Sequence, residues 1–152
     1  MTETIYDALR ESHALQRALC TKLLRTSPHT RQRIEVFTDL RIELEAHAAA
    51  EERYLYAPML MDDMGLLPSR HALHEHHEID ELVEQLQERD PSSRGWLILA
   101  RSLSDKVRHH LKEEEKKFFQ VSGRILGERR KTVLAREYRQ DYARMVKKLR
   151  EE

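Results

Sequence analysis

Two stretches of the chain carry residues whose types and spacing suit the binding of a metal ion. His47-Ala-Ala-Ala-Glu51-Glu52-Arg53-Tyr54-Leu55-Tyr56 and His110-Leu-Lys-Glu-Glu114-Glu115-Lys116-Lys117-Phe118-Phe119 share one pattern: His, three residues, Glu-Glu, two residues, then two large apolar or aromatic residues. On a helix, residues four apart lie one above the other, so each His-x-x-x-Glu pair presents an imidazole nitrogen and a carboxylate oxygen to one point. Those are the donor atoms of divalent first-row metals. The copies are 63 residues apart, and the same shift carries His13 onto His76, Leu19 onto Leu82, Leu23 onto Leu86, Pro28 onto Pro91, Arg31 onto Arg94 and Leu40 onto Leu103 without a gap. The chain is an internal duplication.

The elements that must position these donors are helices. Four glycines and four prolines fall in clusters between long periodic segments, so the expectation is an all-α protein. The first helix spans about residues 4–25. Ser27-Pro28 reads as an N-cap followed by proline, opening a second helix to about Met61; Asp90-Pro91 opens the fourth in the same way, to about Ser122-Gly123. A third helix is expected over residues 69–88, after the turn-rich link 62–68. Short connections make the four an up-down-up-down bundle with a pseudo-twofold axis, taken as residues 1–122. Residues 123–152 form a C-terminal extension on the same domain, with a fifth helix over 128–152. Its stripe of Leu134, Tyr138, Tyr142, Met145 and Leu149 suits packing on the bundle or on a second copy in a homodimer.

A helical wheel at about 100° per residue separates inward from outward donors. The stripe of Leu103, Val107, Leu111 and Phe118 places His110 and Glu114 inward and His109 toward solvent. Leu40, Leu44, Ala48 and Leu55 place His47 and Glu51 inward. His76 is inward and His77 nearly opposite; His71 lies at the edge of the same sector, and His13 maps onto His76 by the duplication. Burying an ionised carboxylate costs several kcal/mol unless it is paired. No inward Lys or Arg neighbours Glu51 or Glu114, so metal supplies the charge. Four imidazoles and two bridging carboxylates suit two ions. Glu52 and Glu115 lie on the helix flanks as supporting or surface groups, and Tyr54, Tyr56, Phe118 and Phe119 close the core.

Other metal motifs do not fit. Ferritin-like bundles use Glu-x-x-His, but three residues before His47 and His110 stand Leu44 and Val107. A zincin needs His-Glu-x-x-His, and after His74-Glu75 the required position is Glu78.

With His13, His47-x-x-x-Glu51, Glu75-His76 and His110-x-x-x-Glu114 in order over about residues 4–120, the chain resembles the hemerythrin-like, or HHE cation-binding, domains. The resemblance implies a non-haem di-iron centre with an open position for dioxygen or a related diatomic such as nitric oxide. The ligand set by itself does not separate iron from manganese or zinc. Oxygen-carrying hemerythrins place a further histidine one turn before the third-helix ligand, where this chain has Ala72, and use a wider spacing to the fourth-helix carboxylate. Sensing of oxygen, redox state or iron therefore stands beside storage. A di-iron enzyme (an oxidase, a peroxide-consuming protein or an iron-sulfur repair factor) is the alternative, and a scaffold that keeps only the fold is a third reading.

The totals narrow the class further. Lys/Arg and Asp/Glu balance at 27 each, which argues against a strongly basic nucleic-acid binder. The basic C-terminal helix lacks the aromatic interleaving of a nucleic-acid surface. One cysteine, Cys20, fits a reducing compartment. With no leader-like N-terminus and no apolar run near the ~18 residues of a membrane span, the expectation is a cytoplasmic protein.

Overall fold

The computed structural model describes residues 2–152, and among these there is no strand. Five rods follow one another. They are α1 (Ile5–Leu24), α2 (Arg31–Glu51), α3 (Leu66–Glu88), α4 (Arg94–Glu113) and α5 (Glu128–Glu151). Two of the rods run on past a break in hydrogen-bond register. After α2 comes a π-helical turn, Glu52–Tyr56, and a last α turn, Ala57–Leu60; after α4 comes a π turn, Glu114–Phe118, and then Phe119–Ile125. The two π turns are equivalent under the 63-residue shift. The first four rods make the expected bundle, and the fourth reaches three residues beyond the expected boundary at 122.

Helix starts differ from the expectation at three places, each for a local reason. Ser27 and Pro28 lie in a turn that ends at His29, whose φ of 64° closes it in the left-handed region. The cap of α2 is Thr30, whose side chain accepts from the Arg33 N–H. Asp90 spends its carboxylate on the Ser92 N–H, and Ser93 caps α4 by accepting from the Trp96 N–H. Thr30 and Ser93 are themselves 63 residues apart, so the duplication holds for the true caps. Helix α3 starts at Leu66, three residues early, because Pro68 falls in its first turn, where the missing N–H has no partner to lose.

Two apolar clusters fill the bundle. One contains Cys20, Leu23, Phe37, Leu40, Leu86, Trp96 and Leu103; the other contains Ile5, Leu9, Leu55, Met59, Phe118 and Leu134. Each fully buried leucine contributes about 2 kcal/mol. Along every rod of the bundle the buried candidate donors fall between the two clusters: His13 on α1, His47 and Glu51 on α2, His76 on α3, His110 and Glu114 at the end of α4. The site is thus a polar layer sealed at both ends.

Helix α5 lies across α1 and α2, where Leu134, Tyr138 and Leu149 are buried. Its apolar stripe packs on the chain's own bundle. Arg139 pairs with Glu3, just ahead of α1, and with Glu11 of α1, and Arg150 pairs with Asp39 of α2. Two of its basic groups therefore serve docking of the helix.

Candidate metal centre

The fold brings all six expected donors into one layer. His13, His47, Glu51 and Glu114 form one buried group with ligand atoms within 4.8 Å of one another, and Glu51, His76 and His110 form a second. Glu51 belongs to both. Its Oε1 lies 3.2 Å from His47 Nε2 and 3.3 Å from His76 Nε2. Glu114 spans the groups similarly, with Oε1 3.1 Å from His13 Nε2 and Oε2 3.7 Å from His110 Nε2. Donors bound to one ion at about 2.0–2.2 Å stand about 3.0–3.5 Å apart at tetrahedral or octahedral angles, so nearly all these separations suit shared ions.

Each histidine turns Nε2 inward and holds Nδ1 on a named acceptor. His13 Nδ1 meets Glu115 Oε2 at 2.7 Å, and its duplicate His76 meets Glu52 Oε2 at 2.7 Å. These are the two flank carboxylates of the sequence pattern. His110 Nδ1 meets Glu75 Oε1 at 2.8 Å. The position equivalent to Glu75 is Ser12, too short to do the same for His47; there the Tyr138 hydroxyl, from α5, lies 2.8 Å from His47 Nδ1 and 2.8 Å from Ser12 Oγ. An acceptor at Nδ1 fixes the tautomer that leaves Nε2 free to bind metal.

Tyr56 departs from the expectation of simple core closure. Its hydroxyl donates to Glu51 Oε1 at 2.9 Å and is hydrogen-bonded to Glu114 as well, linking the two carboxylates. An α-helical wheel puts residues five apart about 140° away from each other. The π turn brings Tyr56 back over Glu51. The equivalent residue is Phe119, stacked on His13 with ring centroids 5.9 Å apart. So only one half of the duplication carries a hydroxyl at this position.

The charges answer one another. Burial disfavours charge on His13, but Glu114 and Glu115 outweigh it and raise its pKa to about 9. His76, likewise buried, is raised to about 10 by Glu51 and Glu52. Burial holds His47 down at about 4, so it is neutral. Glu51 is held low against its burial by the charged His76 that faces it, whereas burial and the Glu51 charge push Glu114 up. The expectation that only metal could balance the carboxylates overlooked the imidazolium form of His13 and His76. Yet protons do not satisfy the whole layer. His47 Nε2 and Glu51 Oε2 are buried without a hydrogen-bond partner, and a cation at the convergence point satisfies such donors together. The residues fit a metal.

His77 and His109 point to solvent, with side chains 67% and 65% exposed. Ala72, one turn before His76, is packed in the apolar core. Sequence reasoning missed Tyr56, Tyr138 and Gln16. Gln16 is buried with its amide nitrogen unpartnered and walls a cavity of about 10 Å³ beside His47, His76 and His110. The mismatch of Ser12 with Glu75 was the signal available for Tyr138.

A bundle with two buried His/carboxylate groups sharing one glutamate defines a metal-binding helical protein. The chain belongs to the hemerythrin HHE cation binding domain family, whose model matches residues 4–121. The crystal structure of a hemerythrin HHE cation binding domain-containing protein from Mycobacterium kansasii superimposes with a TM-score of 0.85 at 20% identity, covering 96% of this chain and 89% of that one. That coverage takes in the fifth helix as part of the shared fold. A protein named DNA nickase from Nostoc sp. is 30% identical over 115 residues, which is 76% of this chain and 32% of that protein. The chain thus spans about a third of that relative's length. Among the described residues no helix is long and apolar enough to cross a membrane.

Proposed function

We propose that the chain holds two iron ions, one by His13 and His47 and the other by His76 and His110, with Glu51 and Glu114 shared between them. The centre binds dioxygen or a related diatomic, for sensing, storage or a response to iron or redox state. One observation carries this reading: four imidazoles aim Nε2 at two shared carboxylates while every Nδ1 is already held. Iron in such a layer supplies reversible one-electron chemistry and a coordination position for a small ligand. The chain supplies the rest. The two apolar clusters exclude bulk water, and the small cavity walled by Gln16, Ile79 and three of the histidines has room for about one water-sized molecule. Gln16 offers an amide donor to whatever occupies it.

The test is metal stoichiometry on protein purified with iron, with visible spectra of the reduced form before and after admitting air. Two irons per chain and new charge-transfer bands that vanish on removing oxygen are expected for a carrier or sensor. A protein that folds and takes up no metal refutes the reading. Tyr56 favours a second reading, a di-iron oxidase or peroxide-consuming enzyme, because its hydroxyl places a proton donor between the shared carboxylates. Sustained consumption of oxygen or peroxide by wild type, lost in Tyr56→Phe with iron content unchanged, selects that reading over the first. The DNA nickase likeness carries no nucleic-acid role here, since this chain spans only about a third of that protein.

A further inference from the structure

A second cluster of metal-ligating side chains lies outside the four-histidine layer, where α3 meets α4. It is built from two more His-x-x-x-Glu pairs, His71 with Glu75 and His109 with Glu113. His71 Nε2 lies 3.6 Å from Glu75 Oε1 on its own helix and 3.2 Å from Glu113 Oε1 across the interface. His109 Nε2 lies 3.1 Å from Glu113 Oε2 and 3.9 Å from Glu75 Oε2. Three of these four separations fall at or near the roughly 3.0–3.5 Å expected of donors on one ion. The two imidazoles are the exposed members, and Glu75 is almost wholly buried.

Two comparisons within the chain set this cluster apart from ordinary surface pairs. His74–Glu78 and His77–Glu81 are also i,i+4 pairs on α3, but neither is joined by an acidic group from another helix; Glu78 instead takes Lys106 at 2.7 Å. The duplication gives the second. The positions 63 residues before His71, Glu75, His109 and Glu113 are Ala8, Ser12, Ala46 and Ala50, small residues buried on the α1/α2 side. The donors are therefore peculiar to the face that α5 leaves open. That face holds a cavity of about 300 Å³, lined by His71, Glu75 and Glu113 at the cluster and reaching His110 and Glu114.

We propose that His71, Glu75, His109 and Glu113 bind one divalent first-row transition ion at the mouth of this cavity, separately from the inner centre. Two imidazoles and two carboxylates suit cobalt, zinc or ferrous iron over magnesium or calcium, which prefer all-oxygen sites. Binding is weaker than inside, because water competes for exposed imidazoles that must first be ordered.

The probe is Co²⁺, added to the metal-free full-length protein and followed by calorimetry and by the visible bands of the ion. The expected result is that wild type binds one equivalent more than H71A/H109A, the missing one being the weakest. H74A/H77A, which removes two exposed histidines of the same helix, retains every equivalent. E51A/E114A keeps the outer equivalent while losing the inner ones. Equal stoichiometry and spectra in wild type and H71A/H109A overturn the proposal, as does equal loss in H74A/H77A. A wild type that binds a single equivalent, lost only in H71A/H109A, upholds the outer site and refutes the inner one.

Discussion

Tyr138→Phe removes one oxygen atom and leaves the ring that packs α5 against the bundle. The hydroxyl makes two buried hydrogen bonds, to His47 Nδ1 and to Ser12 Oγ, both at 2.8 Å. His47 is neutral at ordinary pH, and in the tautomer that leaves Nε2 free for metal its Nδ1–H donates to the tyrosine oxygen while the tyrosine proton goes to Ser12. Without the oxygen, Nδ1–H is buried unpaired at a cost of about 1–3 kcal/mol. The ring then gains by moving its proton to Nε2, the atom that must face the metal. Loss of such a supporting partner costs about 10–100-fold in metal affinity, or about 1.4–2.8 kcal/mol. The assay is competition against a chelator, with thermal unfolding of the metal-free protein alongside. Tyr138→Phe is expected to weaken metal binding by that factor and to lower the Tm by about 2–4 °C per kcal/mol lost. The control is Tyr142→Phe, whose hydroxyl donates to Glu43 at 3.0 Å and touches no metal-facing histidine; it should move the Tm and leave affinity alone. Wild-type affinity in Tyr138→Phe refutes the assignment and reduces α5 to packing.

Other outcomes follow from the same layer. His13 and His76, with pKa values of about 9 and 10, hold protons at pH 7.5 that metal must displace, so uptake should release about two protons per chain and tighten as pH rises; calorimetry in buffers of different ionisation enthalpy measures the count. For the metal-free fold the sign is opposite: the contribution of these raised pKa values is complete below about 6.5 and is lost as pH climbs through 9 to 10, which denaturant melts at pH 6 and 9.5 should register. Glu43 is buried and its pKa is raised from 4.5 to about 7, so its ionised form costs up to about 3 kcal/mol. Glu43→Gln should therefore stabilise the protein at pH 8.5 and lose that advantage at pH 5, whereas equal Tm shifts at both would show the cost is not ionisation. Glu51→Ala and Glu114→Ala should each abolish binding of two metals per chain, with His77→Ala unaffected; equal loss in all three would contradict the inward and outward assignment.

The α-helical period made the bundle and five of the six inward donors legible in the sequence, and the 63-residue match to His76 brought in His13. Where the helix keeps 3.6 residues per turn, a wheel assigns His47, Glu51, His110 and Glu114 to the core and His77 and His109 to solvent. Where the period changes, the wheel fails. Tyr56 sits beyond the start of a π turn, so a method that assumes about 100° per residue turns its hydroxyl away from Glu51. Tyr138 failed for another reason: its role depends on which two helices α5 lies across, and an amphipathic stripe specifies an apolar face without naming its partner. The start of α2 was misplaced because Ser27-Pro28 and Thr30 are competing caps, and the left-handed His29 decides between them only in the folded chain.

The duplication is most informative where it is broken. Two equivalent halves would give two equivalent faces, each with a carboxylate on the outer nitrogen of its buried histidine. The first half instead has Ser12 in place of Glu75, alanines in place of His71, His109 and Glu113, and α5 laid over them with Tyr138 completing His47. The second half keeps its own carboxylate and an open cavity that reaches His110 and Glu114. Covering one face with a helix relieves that face of any need for exposed donors and leaves the α3/α4 side as the approach to the centre. A bulky residue at Ala72, on the wall of that cavity, should then slow metal uptake while leaving the number of ions bound at equilibrium unchanged. The same kind of change at Ala8, beneath α5 in the same apolar cluster, should leave uptake rates alone, although both changes cost about 1–3 kcal/mol of stability by overpacking. Stopped-flow uptake of Co²⁺ distinguishes the two faces, and equal slowing by both substitutions would show that metal does not enter from the α3/α4 side.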